Sequence, residues 1–181
     1  MRLFVGIALP ADIHDRLDAL QSGLPGARWV ALEGAHITLR FIGETDGGRA
    51  QDIDEALADI QARAFELRLS GIGNFGSGRK MRAVWAGLDR SEALIHLADK
   101  VESAIVRAGF EPERRKFTPH VTLARLDGAP VEAVAEYIQR HNTFSAGPFP
   151  IDQFTLFRSF IGKDGSRYQA LADYPLVGGV A

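Results

Sequence analysis

The chain spells one short phrase twice. His36-Ile-Thr-Leu and His120-Val-Thr-Leu each place a histidine two positions before a threonine, inside a run rich in branched apolar residues. Both runs read as β-strands. Alternate side chains of a strand share a face. His36 therefore lies beside Thr38, and His120 beside Thr122, while Ile37, Leu39, Val121 and Leu123 turn the other way, into a core. A fold that honours this pattern needs two strands that are apolar on one face and chemical on the other, with the chemical faces brought together.

The intervening sequence supplies such a fold. Residues 2–9 alternate, with Leu3, Val5, Ile7 and Leu9 on one face and Arg2, Phe4, Gly6 and Ala8 on the other, as in a strand. Pro10 opens a helix carrying Ile13, Leu17 and Leu20, and Arg28-Trp29-Val30 is a short extended piece. A second helix carries Ile53, Leu57 and Ile60. Phe65, Leu67 and Leu69 form a strand that ends in the glycine-rich run Ser70–Gly78, and Ala83–Leu88 is the next strand. Ser91 caps a third helix with the stripe Leu94, Leu97, Val101 and Ile105, which Gly109 stops. Pro130 starts a fourth helix. Phe149–Ser159 reads as one long strand, and Gly162–Gly165 is a hairpin turn before a last strand over Tyr168–Leu171. Helices interleave with strands, and several strands are joined by short turns. The order predicts an α+β fold: two mostly antiparallel sheets in two lobes related by a pseudo-two-fold, with helices outside and a groove between the lobes. The 181 residues read as one unit over 1–181.

Composition narrows the chemistry. The chain has no cysteine, which removes disulfides and thiolate metal sites and fits a reducing cytoplasm. A formal net charge of −2 excludes coating of nucleic acid by bulk charge, so an anionic ligand has to be met by a local cluster of donors. No stretch is long and apolar enough to span a membrane, and nothing in the sequence calls for an oligomer, so the expected state is a monomer.

Two histidines that titrate near neutrality can serve as acid and base on opposite sides of a phosphorus undergoing in-line displacement. The two threonine hydroxyls can donate to the non-bridging oxygens, where charge accumulates. This needs no metal and no cofactor. Arg125 is an odd number of positions from His120, so a regular strand would turn it away; it reaches the groove from the strand end or through a bulge, to pair with phosphate. Phe41, Phe157 and Phe160 are core residues by default, any one of which could instead stack a base. Arg79, Lys80, Arg82, Arg114, Arg115 and Lys116 could line one rim. The remaining histidines, His14, His96 and His141, read as solvent-facing or capping. The glycine-rich run lacks the Gly-Lys-Ser/Thr ending of a phosphate loop and reads as a turn with a bulge. The symmetry of the two motifs leaves open which histidine gives and which takes the proton.

The flanks of the motifs sharpen the reading. Leu3-Phe-Val-Gly-Ile-Ala-Leu-Pro10, Arg28-Trp-Val30, His36-Ile-Thr-Leu-Arg-Phe-Ile-Gly-Glu44, Val84-Trp85, Phe117-Thr-Pro-His-Val-Thr-Leu-Ala-Arg125 and Phe154-Thr-Leu-Phe-Arg-Ser159 resemble the 2H phosphoesterase superfamily, in its RNA 2′,3′-cyclic phosphodiesterase (2′-5′ RNA ligase) branch. Phe75-Gly76 and Arg115-Lys-Phe117 depart from the Phe-Pro and Arg-Pro-Phe of that pattern. The resemblance implies His36 as proton donor and His120 as proton acceptor, with Thr38, Thr122 and Arg125 on the phosphate. The implied substrates are RNA ends or small cyclic nucleotides, and the implied reaction opens a terminal 2′,3′-cyclic phosphate to a 2′-phosphate. The alternatives are 2′-5′ ligation by the reverse chemistry, hydrolysis of another small phosphodiester, and a non-catalytic RNA-binding module.

Overall fold

A computed structural model describes residues 1–178, so the last three positions of the span 1–181 lie outside the described residues. The order is β1 (Arg2–Ala8), α1 (Ala11–Asp18), β2 (Ala27–Trp29), β3 (His36–Glu44), α2 (Gly47–Ala58), β4 (Phe65–Phe75), β5 (Ala83–Leu88), α3 (Glu92–Arg107), β6 (Val121–Leu126), α4 (Val131–Arg140), β7 (Ser145–Ile151), β8 (Gln153–Gly162) and β9 (Gly165–Pro175). Local chemistry accounts for the helix ends. The Asp46 carboxylate accepts the Arg49 backbone N–H at 2.8 Å, and Ser91 Oγ accepts that of Leu94 at 3.1 Å, each capping a helix start. Gly109, at φ +99°, takes the left-handed turn that ends α3.

The strands form two antiparallel sheets, ordered β3-β1-β8-β9 and β2-β6-β5-β4-β7. Overlaying the two histidine strands matches β3 with β6, β1 with β5, β8 with β4 and β9 with β7, so the expected α+β, two-lobed arrangement is present. The lobes are not the two halves of the sequence. After α2 the chain passes into the second sheet as β4, and after α4 and β7 it returns to the first sheet as β8. Strand β2 belongs to the first half of the sequence and pairs in the second sheet, beside β6. Leu3, Val5, Ile7, Ile37, Val84, Ala86, Val121 and Leu123 are fully buried in one apolar cluster with the inward stripes of α1, α2, α3 and α4. That cluster is what holds the histidine strands rigid.

Two expectations are corrected. Phe149–Ser159 is not one strand: it divides at Asp152, with β7 on the edge of one sheet and β8 inside the other. The Asp152 carbonyl accepts the N–H of Leu176 at 2.7 Å, so the ladder changes partners there. The glycine-rich run is largely strand rather than its end, because β4 continues to Phe75 through a register shift between Leu69 and Ile72, with Gly71 at φ +75°. The expected bulge is present; the expected turn lies further on.

Candidate active site

Both histidines are held in the same way. The backbone carbonyl two residues earlier accepts from each ring, Gly34 O from His36 Nδ1 at 2.7 Å and Thr118 O from His120 Nδ1 at 2.6 Å. A carbonyl only accepts, so each Nδ1 carries hydrogen, and in the neutral ring each Nε2 keeps its lone pair. His36 Nε2 lies 3.1 Å from Thr38 Oγ1, the intrastrand neighbour that the i, i+2 spacing predicts. Strands β3 and β6 touch, and the two imidazoles are close enough that His120 disfavours a proton on His36. Burial is the main cause holding the His36 pKa below its ordinary value; the Gly34 carbonyl works in the opposite direction. His120 is also lowered, first by burial and then, against the pull of the Thr118 carbonyl, by Arg125.

The environments differ. Phe4 packs on His36 with ring centroids 4.6 Å apart, and Tyr168 meets it edge-on at 4.9 Å. Gly34 makes that contact feasible, since a Cβ there would sit 2.7 Å from the Tyr168 ring. His120 is met edge-on by Phe75 at 4.7 Å and flanked by Trp85 at 5.9 Å. The Trp85 ring in turn lies on Gly73, where a Cβ would come within 2.3 Å. The sequence reading gave Phe4, Tyr168, Phe75 and Trp85 no place in the site; the signal available for Phe4 was its position on the same strand face as Gly6, away from Leu3 and Val5.

A bulge settles the orientation of Arg125. On β6, Thr122 pairs with Trp85 but Ala124 pairs with Val84, so one extra residue is inserted. Leu123 and Ala124 are consequently both buried, and Arg125 returns, exposed, to the face of His120 and Thr122. Strand β3 does the same. Thr38 pairs with Gly6 and Arg40 with Val5, Leu39 and Arg40 are both buried, and Phe41 returns to the groove face. There Phe41 stacks parallel to Phe4 at 6.3 Å, and Phe157 stacks on the other side of Phe4 at 5.0 Å. The inward turn buries the Arg40 charge. Its guanidinium donates to Glu102, to the Phe41 carbonyl and to the Glu111 carbonyl, each at 2.5 Å, and Glu102 also accepts the N–H of Glu113 at 3.0 Å. This ties the loop leading to His120 onto the strand bearing His36.

The structure thus brings His36, Thr38, Phe41, His120, Thr122 and Arg125 to groove faces. Phe160, with Arg158 over its ring at 4.5 Å, stands exposed near the β8–β9 hairpin tip. Arg79, Lys80, Arg82, Arg114, Arg115 and Lys116 are all exposed. His96 is exposed and His141 is the C-cap of α4, as read. His14 departs from the solvent-facing reading, because its Nε2 is covered by protein and has no hydrogen-bond partner among the described residues. Among the described residues no group of three or more His, Asp or Glu side chains is arranged to hold a metal ion, and no helix is long and apolar enough to cross a membrane.

Two imidazoles with fixed tautomers, each beside a hydroxyl and carried on equivalent strands of pseudo-two-fold lobes, define a 2H phosphoesterase. The family described as the 2′-5′ RNA ligase superfamily matches residues 9–159, and the chain belongs to it. An RNA 2′,3′-cyclic phosphodiesterase of Aeropyrum pernix is 35% identical over 152 residues, which cover 83% of this chain and 86% of that one. Among solved structures, E. coli LigT complexed with 3′-AMP is 27% identical with a TM-score of 0.78, covering 97% of this chain and 98% of LigT. The Thermus thermophilus protein TT0787 is 26% identical with a TM-score of 0.81, covering 98% of this chain and 99% of its own.

Proposed function

We propose that this chain hydrolyses the 2′,3′-cyclic phosphate at RNA ends to a 2′-phosphomonoester, without metal, using His36 as proton donor and His120 as proton acceptor. The observation that carries the reading is the shared tautomer: both rings spend Nδ1–H on a backbone carbonyl and leave Nε2 for chemistry. The unprotonated Nε2 of His120 takes the proton of an attacking water. The new oxygen–phosphorus bond forms opposite the ribose 3′-oxygen, whose bond to phosphorus breaks, and protonated His36 Nε2 gives that oxygen its proton. Both rings favour the neutral form in the free protein, so His36 becomes the acid when the anionic phosphate arrives and stabilises the imidazolium. Thr38, Thr122 and Arg125 donate to the non-bridging oxygens as their charge grows, and Phe41 offers a ring for a base. The names of the curated relatives support the substrate class. The protein acts as a monomer in the cytoplasm.

The test is a short oligoribonucleotide ending in a 2′,3′-cyclic phosphate, incubated with the protein in EDTA, with the product phosphate located by ³¹P NMR. A 2′-phosphate is expected. A 3′-phosphate would reverse which oxygen leaves, and loss of activity in EDTA would sink the metal-free mechanism.

A further inference from the structure

Arg28 and Arg125 are direct cross-strand partners, on β2 and β6. Opposed residues of an antiparallel pair project to the same face with Cβ atoms about 5 Å apart. The bulge in β6 puts Arg125 on the groove face with His120 and Thr122, so Arg28 projects to that face too. Both are exposed, and neither makes an ion pair or donates a side-chain hydrogen bond among the described residues. Asp127, two residues beyond Arg125, pairs with neither. Like charges placed directly opposite one another on a sheet are unfavourable, and an anion between or beside them removes the repulsion. The chain also brings Arg28 here from a distance: β2 is a three-residue strand of the first half of the sequence, laid on the outer edge of the second lobe.

We infer that Arg28 holds the phosphodiester on the 5′ side of the terminal nucleotide, while Arg125 serves the reacting cyclic phosphate. The pair would then read two successive phosphates of one strand and make the enzyme prefer RNA ends to isolated cyclic mononucleotides. This rests on the phosphodiesterase reading above. A chain end presents both phosphates whatever its bases, so the preference is for length and charge rather than for sequence.

The test uses a dinucleotide ending in a 2′,3′-cyclic phosphate, with its internal linkage either a natural phosphodiester or an uncharged methylphosphonate. For the wild-type protein, kcat/KM is expected to fall about tenfold on neutralising the linkage, the scale of one charge-assisted hydrogen bond. Arg28→Gln should lower kcat/KM on the natural dinucleotide by a similar factor and lose no more on the methylphosphonate, the non-additivity of a direct contact. Arg28→Lys should recover part of the loss and part of the salt dependence. Additive losses, or a wild-type protein indifferent to the linkage, would overturn the assignment of Arg28 while leaving the phosphodiesterase reading intact. Hydrolysis of neither dinucleotide would instead overturn the phosphodiesterase reading, and the assignment with it.

Discussion

Phe41 and Arg125 occupy the same place in two copies of one bulged strand. Each is the fifth residue after a groove histidine, and each is returned to the histidine face by one extra residue just after the threonine. The pseudo-two-fold therefore extends to an irregularity of the backbone, and the groove departs from it in side-chain identity. One lobe offers a ring where the other offers a cation, which suits a ligand with a base at one end and a phosphate at the other.

That asymmetry predicts separable kinetic defects. Arg125→Gln should lower kcat by about 10²-fold, the scale of a lost donor to transition-state charge. Phe41→Ala should chiefly raise KM, through lost stacking of about 1–3 kcal/mol. Steady-state kinetics on one cyclic-phosphate oligonucleotide checks both, and equal effects on kcat from the two variants would contradict the division.

The pH dependence follows from the two lowered imidazoles. The base has to be neutral, so the rate falls as pH drops through the lower limb. The acid has to be protonated, so the rate falls as pH rises through the upper limb. Both free-protein pKa values lie below the ordinary 6.5, so kcat/KM should be bell-shaped with its centre on the acid side of that value. Bound phosphate raises the His36 pKa, so the alkaline limb of kcat should lie at higher pH than that of kcat/KM. A flat profile between about pH 5 and 8, with chemistry rate-limiting, would refute the scheme.

The clamp between the lobes should show in stability. Glu102→Gln leaves the Arg40 guanidinium 7% exposed with a weakened partner. Breaking such a pair costs about 2–3 kcal/mol when one partner is partly hydrated, which lowers Tm by roughly 4–12 °C in a chain of this size. Thermal unfolding followed by circular dichroism measures it, and an unchanged Tm would mean that the pair contributes nothing.

Gly73 should be equally intolerant. A Cβ there overlaps the Trp85 ring, so Gly73→Val displaces the indole that flanks His120 and should cost about 1–3 kcal/mol by overpacking. Activity should fall further than the loss of folded protein explains, as judged by kcat corrected for the fraction folded.

The parts of this molecule that were legible in the sequence rest on period. The i, i+2 pairing of each histidine with its threonine, the buried faces of β1, β3 and β6, and the Ser91-capped stripe of α3 all follow from alternation or helical spacing. Where the structure departs, period was silent about partners. In Phe149–Ser159 the alternation changes phase at Asp152-Gln153, but a phase change by itself does not reveal that the two sides pair in different sheets. The bulges were hidden for the same reason. Leu39-Arg40 and Leu123-Ala124 read as ordinary in–out pairs, and only the register against β1 and β5 shows that both members of each pair turn inward. Hence the side chain of Arg125 could be placed only conditionally, and Arg28 drew no attention as its neighbour.

The central claim is that His36 protonates the departing oxygen and His120 does not. It is tested most directly by comparing His36→Ala and His120→Ala on two substrates, the cyclic-phosphate oligonucleotide and an aryl phosphodiester whose phenolate leaves without protonation. On the cyclic phosphate each variant should lose about 10²–10⁴-fold in kcat. On the aryl ester His36→Ala should recover to within about tenfold of wild type, while His120→Ala stays impaired, because water still needs its base. Equal impairment of His36→Ala on both substrates, or recovery by His120→Ala instead, would contradict the assignment.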